Sequence, residues 1–154
     1  FSGVTGVQTC ALPISGLFDA TLLAEAGLTR LDMKDVTRYP ISEEIIVPAP
    51  GQAAIAVQTR DEDGELQTLL QQIHDAKTER EVTIERSLLK RLGGGCALPL
   101  GCVCHIEGET AELRVFYANA SGTEHYLATH RTPLSDINTL LSQLIERLQH
   151  ITTA

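Results

Sequence analysis

Three consecutive glycines, Gly93-Gly94-Gly95, close a stretch that otherwise carries the marks of a helix, and this junction constrains the fold more than any other feature of the chain. Glu79 to Leu92 reads as helical, entered through Thr78, which with Glu81 three residues later has the form of a capping box. Glycine accepts the left-handed backbone of a helix C-terminus, so the helix stops at the run and a loop must follow. Cys96 is the next residue. Ala97, Leu98 and Pro99 complete a loop whose backbone can approach a bulky ligand closely.

A thiol just past a helix C-terminus meets the negative end of the dipole, which disfavours thiolate, while Lys90 and Arg91 push the other way. That setting suits a sulfur that forms one lasting thioether better than a fast redox or protease-type nucleophile. The plainer reading is a small buried cysteine closing a helix. Cys96, Cys102, Cys104 and His105 also invite a metal or redox reading, but their spacing matches no common zinc pattern. If Val103 lies on a strand, Cys102 and Cys104 share one face and His105 points to the other, so a half-buried strand is expected and no metal site.

After the loop, Val103 to Ile106, Glu112 to Tyr117 and His125 to Thr129 are strand-like, separated by the turn chemistry of Glu107-Gly108-Glu109 and Ala120-Ser121-Gly122. Leu134, Ile137, Leu140, Leu141, Leu144, Ile145 and Leu148 form a helical stripe entered through Thr132-Pro133. Ahead of the loop, Glu65 to His74 places Leu66, Leu69, Leu70 and Ile73 on one helical face. Asp61-Glu62-Asp63 reads as a solvated helix entry. The expected class for residues 64–154 is therefore α+β, with three antiparallel strands covered by helices.

Residues 16–63 differ in character. Phe18 to Leu31 fits a strand followed by a helix, or one continuous helix; Ile45-Ile46-Val47 is a β-branched run closed by Pro48 and Pro50. Ala53 to Thr59 is apolar enough to be a buried strand. Residues 1–15 carry no charge and no periodicity, and resemble the translation of a sequencing adapter joined to a genuine reading frame; they are set aside from functional reasoning.

Twenty acidic against twelve basic residues give a net charge of −8, which argues against nucleic acid as a partner. No apolar run approaches the ~20 residues that span a bilayer, so no membrane insertion is expected. Local basic residues remain, with Arg80, Arg86, Lys90 and Arg91 along one predicted helix open to a small anionic ligand. Without a secretory signal, the cysteines are read as free thiols in a reducing cytoplasm.

Taken in order, Phe18-Asp19-Ala20 with Leu23-Ala24-Glu25-Ala26-Gly27-Leu28, Pro48-Ala49-Pro50-Gly51-Gln52, Glu85-Arg86, and Arg91-Leu92-Gly93-Gly94-Gly95-Cys96-Ala97-Leu98-Pro99-Leu100-Gly101 resemble the porphobilinogen deaminase (hydroxymethylbilane synthase) family. The resemblance spans about residues 16–151, and its most specific element is the Gly-Gly-Cys-x-x-Pro-x-Gly loop. It implies a cytoplasmic transferase of tetrapyrrole (porphyrin and haem) biosynthesis, which joins four porphobilinogen units on an enzyme-bound dipyrromethane and releases hydroxymethylbilane. Cys96 occupies the position of the cysteine that holds this cofactor through a thioether, with Gln52 and Gly95 beside it. Ala53 stands where the family usually has another glycine, which counts against equally close backbone approach there.

The resemblance further implies that residues 16–63 are a remnant of two α/β domains like periplasmic binding proteins, and that residues 64–154 are the C-terminal, cofactor-anchoring domain. The family's general acid and base, an aspartate, and most of its carboxylate-binding arginines then fall outside this sequence, so no catalytic residue is assigned here. A C-terminal fragment inactive alone, from a monomeric parent enzyme, is the expectation. The alternatives are a non-catalytic binding module and a Cys/His metal or redox module.

Overall fold

Along residues 100–107 the side chains alternate: Cys102, Cys104 and Ile106 are buried, while His105 and Glu107 are exposed. That period of two is the signature of a sheet with one face on the core. The structure, a computed structural model, describes residues 19–95 and 98–152. In it β1 (Leu100–Glu107), β2 (Thr110–Ala118) and β3 (His125–Pro133) form an antiparallel sheet in the order β1-β2-β3. Cys104 lies opposite Leu113, which lies opposite His130. Each strand runs beyond its expected limits, because end residues such as Thr110, Arg131 and Thr132 pair through their backbones whatever their side chains.

The β1–β2 connection is the two residues Gly108 and Glu109, with only Gly108 at positive φ (+57°), the pattern of a type II′ hairpin. Among the described residues there are four α-helices: α1 (Glu25–Arg30), α2 (Gly64–Leu70), α3 (Ala76–Arg91) and α4 (Ile137–Thr152). A short 3-10 turn, Leu134–Asp136, precedes α4. Helices α3 and α4 cover one face of the sheet, α3 along β1 and α4 across β2 and β3. The core between them holds Ile84 and Leu88 from α3, Leu113 and Val115 from β2, and Leu141, Leu144 and Leu148 from α4. This is the expected α+β class.

The chain divides into two compact units between Ile41 and Ser42. In the first, α1 buries Leu28, while Leu22 and Leu31 are exposed. Residues 20–24 form no strand, so of the two readings of residues 18–31 only a helical second half is present. Phe18 lies outside the described residues.

In the second unit two expectations fail. Ala53 to Thr59 is not a buried strand: it has no regular structure, and Ile55 is 80% and Val57 58% exposed. A strand needs a ladder partner, and no described segment pairs with this one. Helix α2 ends at Leu70 rather than His74, and Leu66, Leu69 and Ile73 of its stripe are exposed. Its start is as expected, with Asp63 accepting a hydrogen bond from Leu66 N at 3.2 Å.

Candidate cofactor-anchoring site

The loop that carries Cys96 is held by the helix before it and the strand after it. Helix α3 starts earlier than expected: its N-cap is Asp75, whose carboxylate accepts from Thr78 N at 2.7 Å. That backbone hydrogen bond holds the Asp75 carboxyl below its usual range. Thr78 and Glu81 therefore form no capping box. Glu81 turns to the sheet instead and accepts from Ile106 N at 2.7 Å.

Glu85, four residues on, does more. Its Oε1 accepts from Cys104 N at 2.9 Å and its Oε2 from Gly51 N at 2.7 Å. The pairing is metric: four helical residues rise about 6 Å and two strand residues about 6.7 Å, so the Glu81–Glu85 row matches alternate N–H groups of β1. Cys102 N, the next in that series, donates to Pro48 O at 2.8 Å. The outer N–H groups of β1 are thus satisfied without a neighbouring strand. Glu85 is only 6% exposed, and burial pushes its carboxyl above the usual range, outweighing the two amides that pull it down.

At its other end α3 closes in a Schellman motif. Gly93 N donates to Lys90 O and Gly94 N to Leu89 O, both at 3.1 Å, with Gly93 at φ +71°. Two of the three glycines have separate reasons to be glycine. Gly93 supplies the left-handed backbone, whereas Gly94 sits where a Cβ would lie 2.7 Å from Leu98 Cδ2 and 2.8 Å from Leu89 Cδ1. At Gly95 a Cβ would meet nothing within 4 Å. Leu98 N donates to Gly95 O at 3.1 Å, Leu98 packs on the core, and Pro99 O accepts from Ala118 N at 3.2 Å. Cys96 and Ala97 themselves lie outside the described residues; both of their flanks are fixed.

Gln52 is exposed in a turn where Gly51 has φ +75° and Ala53 φ +66°. A non-glycine residue in the left-handed region costs about 1–2 kcal/mol. Ala53→Gly is therefore expected to raise stability by about 1 kcal/mol, after glycine's own entropy cost, read as a higher urea midpoint. The structure links this turn to α3 through Gly51 and Glu85, and Gly95 lies just past the glycines that close α3.

An open groove of about 1130 Å³ runs between residues 53–57 and the outer face of α3 as far as Gly94. Its lining pairs apolar Ile55, Val57 and Leu89 with the cations Arg86 and Lys90 toward Gly94, and with the acids Asp75 and Glu79 toward the start of α3. Of the residues in the metal reading, Cys96 lies outside the described ones, and the other three do not converge. Cys102 and Cys104 are free and buried, and burial, with Glu85 nearby, raises both thiols, Cys104 to about 12. His105 faces the other way and pairs with Glu43 at 2.6 Å. Among the described residues no group of three or more His, Cys, Asp or Glu side chains is placed to hold a metal ion. No described helix is long and apolar enough to cross a membrane.

Fold and site together define a small α+β domain that presents one thiol-bearing loop between a capped helix and an edge strand. Two family models match: "Porphobilinogen deaminase, dipyromethane cofactor binding domain" over residues 8–68, and "Porphobilinogen deaminase, C-terminal domain" over residues 79–139. The chain belongs to the porphobilinogen deaminase family, a family of transferases in tetrapyrrole biosynthesis whose cofactor is dipyrromethane. The first match contains the Gln52 turn. It begins at residue 8, inside the uncharged opening segment. The second match contains most of α3, the Cys96 loop and the whole sheet.

The buried carboxylate of Glu85, with half-buried Glu81 one turn before it along the strand edge, is a feature that the sequence reading did not foresee. Their signal was present: Glu81 and Glu85 are four apart on the helix face that also carries Ile84 and Leu88. An acid inside an apolar stripe asks for a buried partner.

Proposed function

We propose that this chain is the cofactor-anchoring part of a hydroxymethylbilane synthase, in which four porphobilinogen units are joined on a dipyrromethane held by a thioether to Cys96. The observation that carries this reading is the loop itself, fixed at Gly93-Gly94 and at Leu98-Pro99 and open to space at Gly95. The groove that reaches Gly94 suits a pair of pyrroles bearing carboxylates: Ile55, Val57 and Leu89 offer apolar surface, and Arg86 and Lys90 offer charge-assisted hydrogen bonds. When bound, the cofactor supplies the pyrrole carbon to which units are added. The protein's part here is to hold the sulfur at one place, keep Gln52 beside the group, and neutralise carboxylates.

Placing the aspartate acid and most carboxylate-binding arginines in other parts of the family fold leads to a second expectation. The 154 residues alone do not turn over porphobilinogen; hydroxymethylbilane made by the purified chain would refute it. The active protein is read as a cytoplasmic monomer with no nucleic-acid or membrane partner, in keeping with the −8 charge and the two buried free thiols.

The deciding experiment is intact mass spectrometry of the native-length protein and its Cys96→Ser variant. A two-pyrrole adduct that maps to Cys96 and vanishes in the variant is expected. An unmodified Cys96 in an active enzyme would overturn the assignment.

A further inference from the structure

We infer that Glu85 is a positioning residue for cofactor attachment: its one carboxylate fixes the Gly51-Gln52 turn to the helix and the strand that bracket Cys96. The inference rests on the reading that Cys96 carries the cofactor. Glu85 belongs to α3, whose C-terminal glycines open the Cys96 loop. Oε1 holds Cys104 on β1, the strand into which the loop leads, at 2.9 Å; Oε2 holds Gly51, the residue before Gln52, at 2.7 Å. Helix, strand and turn thus meet on a single side chain that is 6% exposed. Among the described hydrogen bonds no other joins residues 51–59 to α3 or to the sheet. Upstream, the Cys102 N to Pro48 O bond holds the chain to β1 just before the turn, and within the turn Glu85 makes the tie to helix and strand.

The chemistry requires a carboxylate. Two N–H donors approach its two oxygens, and each oxygen accepts one. A glutamine in the same place offers one oxygen and turns its NH₂ against the other donor, so one of the two segments must let go. Glu81 provides the internal comparison. It occupies the same helical row and accepts from Ile106 N on β1, but no described hydrogen bond links it to the Gly51-Gln52 turn. Losing it should weaken the strand edge and leave the turn in place.

The test compares native-length wild type with Glu85→Gln and Glu81→Gln, reading adduct occupancy at Cys96 by intact mass and amide exchange at residues 51–53. In Glu85→Gln, exchange at Gly51 and Gln52 is expected to speed up about tenfold or more, and occupancy to fall severalfold. Glu81→Gln should keep both near wild type despite a comparable fall in melting temperature. Wild-type occupancy in Glu85→Gln, or equal losses in both variants, overturns the positioning role.

If Glu85→Gln does not fold, exchange in the wild type decides. A Gly51 amide as slow as that of Cys104 supports the role, and one as fast as that of Gly95 overturns it. A wild type whose Cys96 is unmodified overturns the anchor reading itself and this inference with it. A modified wild type with an unaffected variant overturns the positioning role alone.

Discussion

Gly101→Ala is expected to cost about 3 kcal/mol and to lower the melting temperature by about 10 °C, although it adds a single methyl group. A Cβ at Gly101 would lie 2.6 Å from Val47 O and 2.9 Å from Val47 Cβ. The obstacle is backbone rather than the tip of a flexible side chain, so relief requires the whole 47–48 segment to retreat from β1. That retreat would also stretch the 2.8 Å hydrogen bond from Cys102 N to Pro48 O, leaving a buried donor unpaired. Gly95→Ala is the matching control, since nothing lies within 4 Å of a Cβ there and its melting temperature should not move. Thermal unfolding of the two variants checks this, and a Gly101→Ala protein within about 0.5 kcal/mol of wild type would show that the segment yields freely.

The second large effect is at Glu85. At neutral pH Glu85→Gln is expected to be less stable than wild type by about 2 kcal/mol, because the amide nitrogen faces an N–H donor at Gly51 or Cys104. The difference should depend on pH with a definite sign. Burial raises the Glu85 carboxyl above its usual value of 4.5, so the folded state binds this proton more tightly than the unfolded chain. The stability gained from that proton is fully present below the unfolded value and is lost as pH rises through the higher folded one. The advantage of wild type over Glu85→Gln should therefore narrow as pH rises above about 4.5 and level off once the raised folded value is passed. Urea titrations of both proteins across this range measure it. An advantage that widens with pH would mean that the Gly51 and Cys104 amides outweigh burial.

Much of this arrangement was legible in the residues because it is written in local rules. The Gly93-Gly94-Gly95 run announces a helix end, and Gly93 takes the left-handed conformation expected there. Alternation about Val103 correctly put Cys102 and Cys104 on one face and His105 on the other. The stripe from Ile137 to Leu148 became α4, with Leu141, Leu144 and Leu148 in the core. The misreadings all concern partners. Thr78 and Glu81 have the right spacing for a capping box, but Asp75 already caps the helix and the β1 backbone claims Glu81. Ala53 to Thr59 has the composition of a strand without a described neighbour to complete it. Sequence spacing reports what a segment offers, and what accepts the offer is decided far along the chain. Ala53 takes φ +66°, a left-handed backbone that favours glycine, at the expense of strain.

The row formed by Glu81, Glu85 and the Pro48 carbonyl has one more effect, which concerns crowded conditions rather than cofactor chemistry. The margin of a small sheet is where a second copy would most easily template itself, since bare amides recruit any extended chain. Along β1 those amides are already taken by two acids and a carbonyl, so a foreign strand would have to displace negative charge from semi-buried positions before gaining a single ladder bond. The same contacts that set the loop's surroundings also make this side of the domain a poor seed for aggregation.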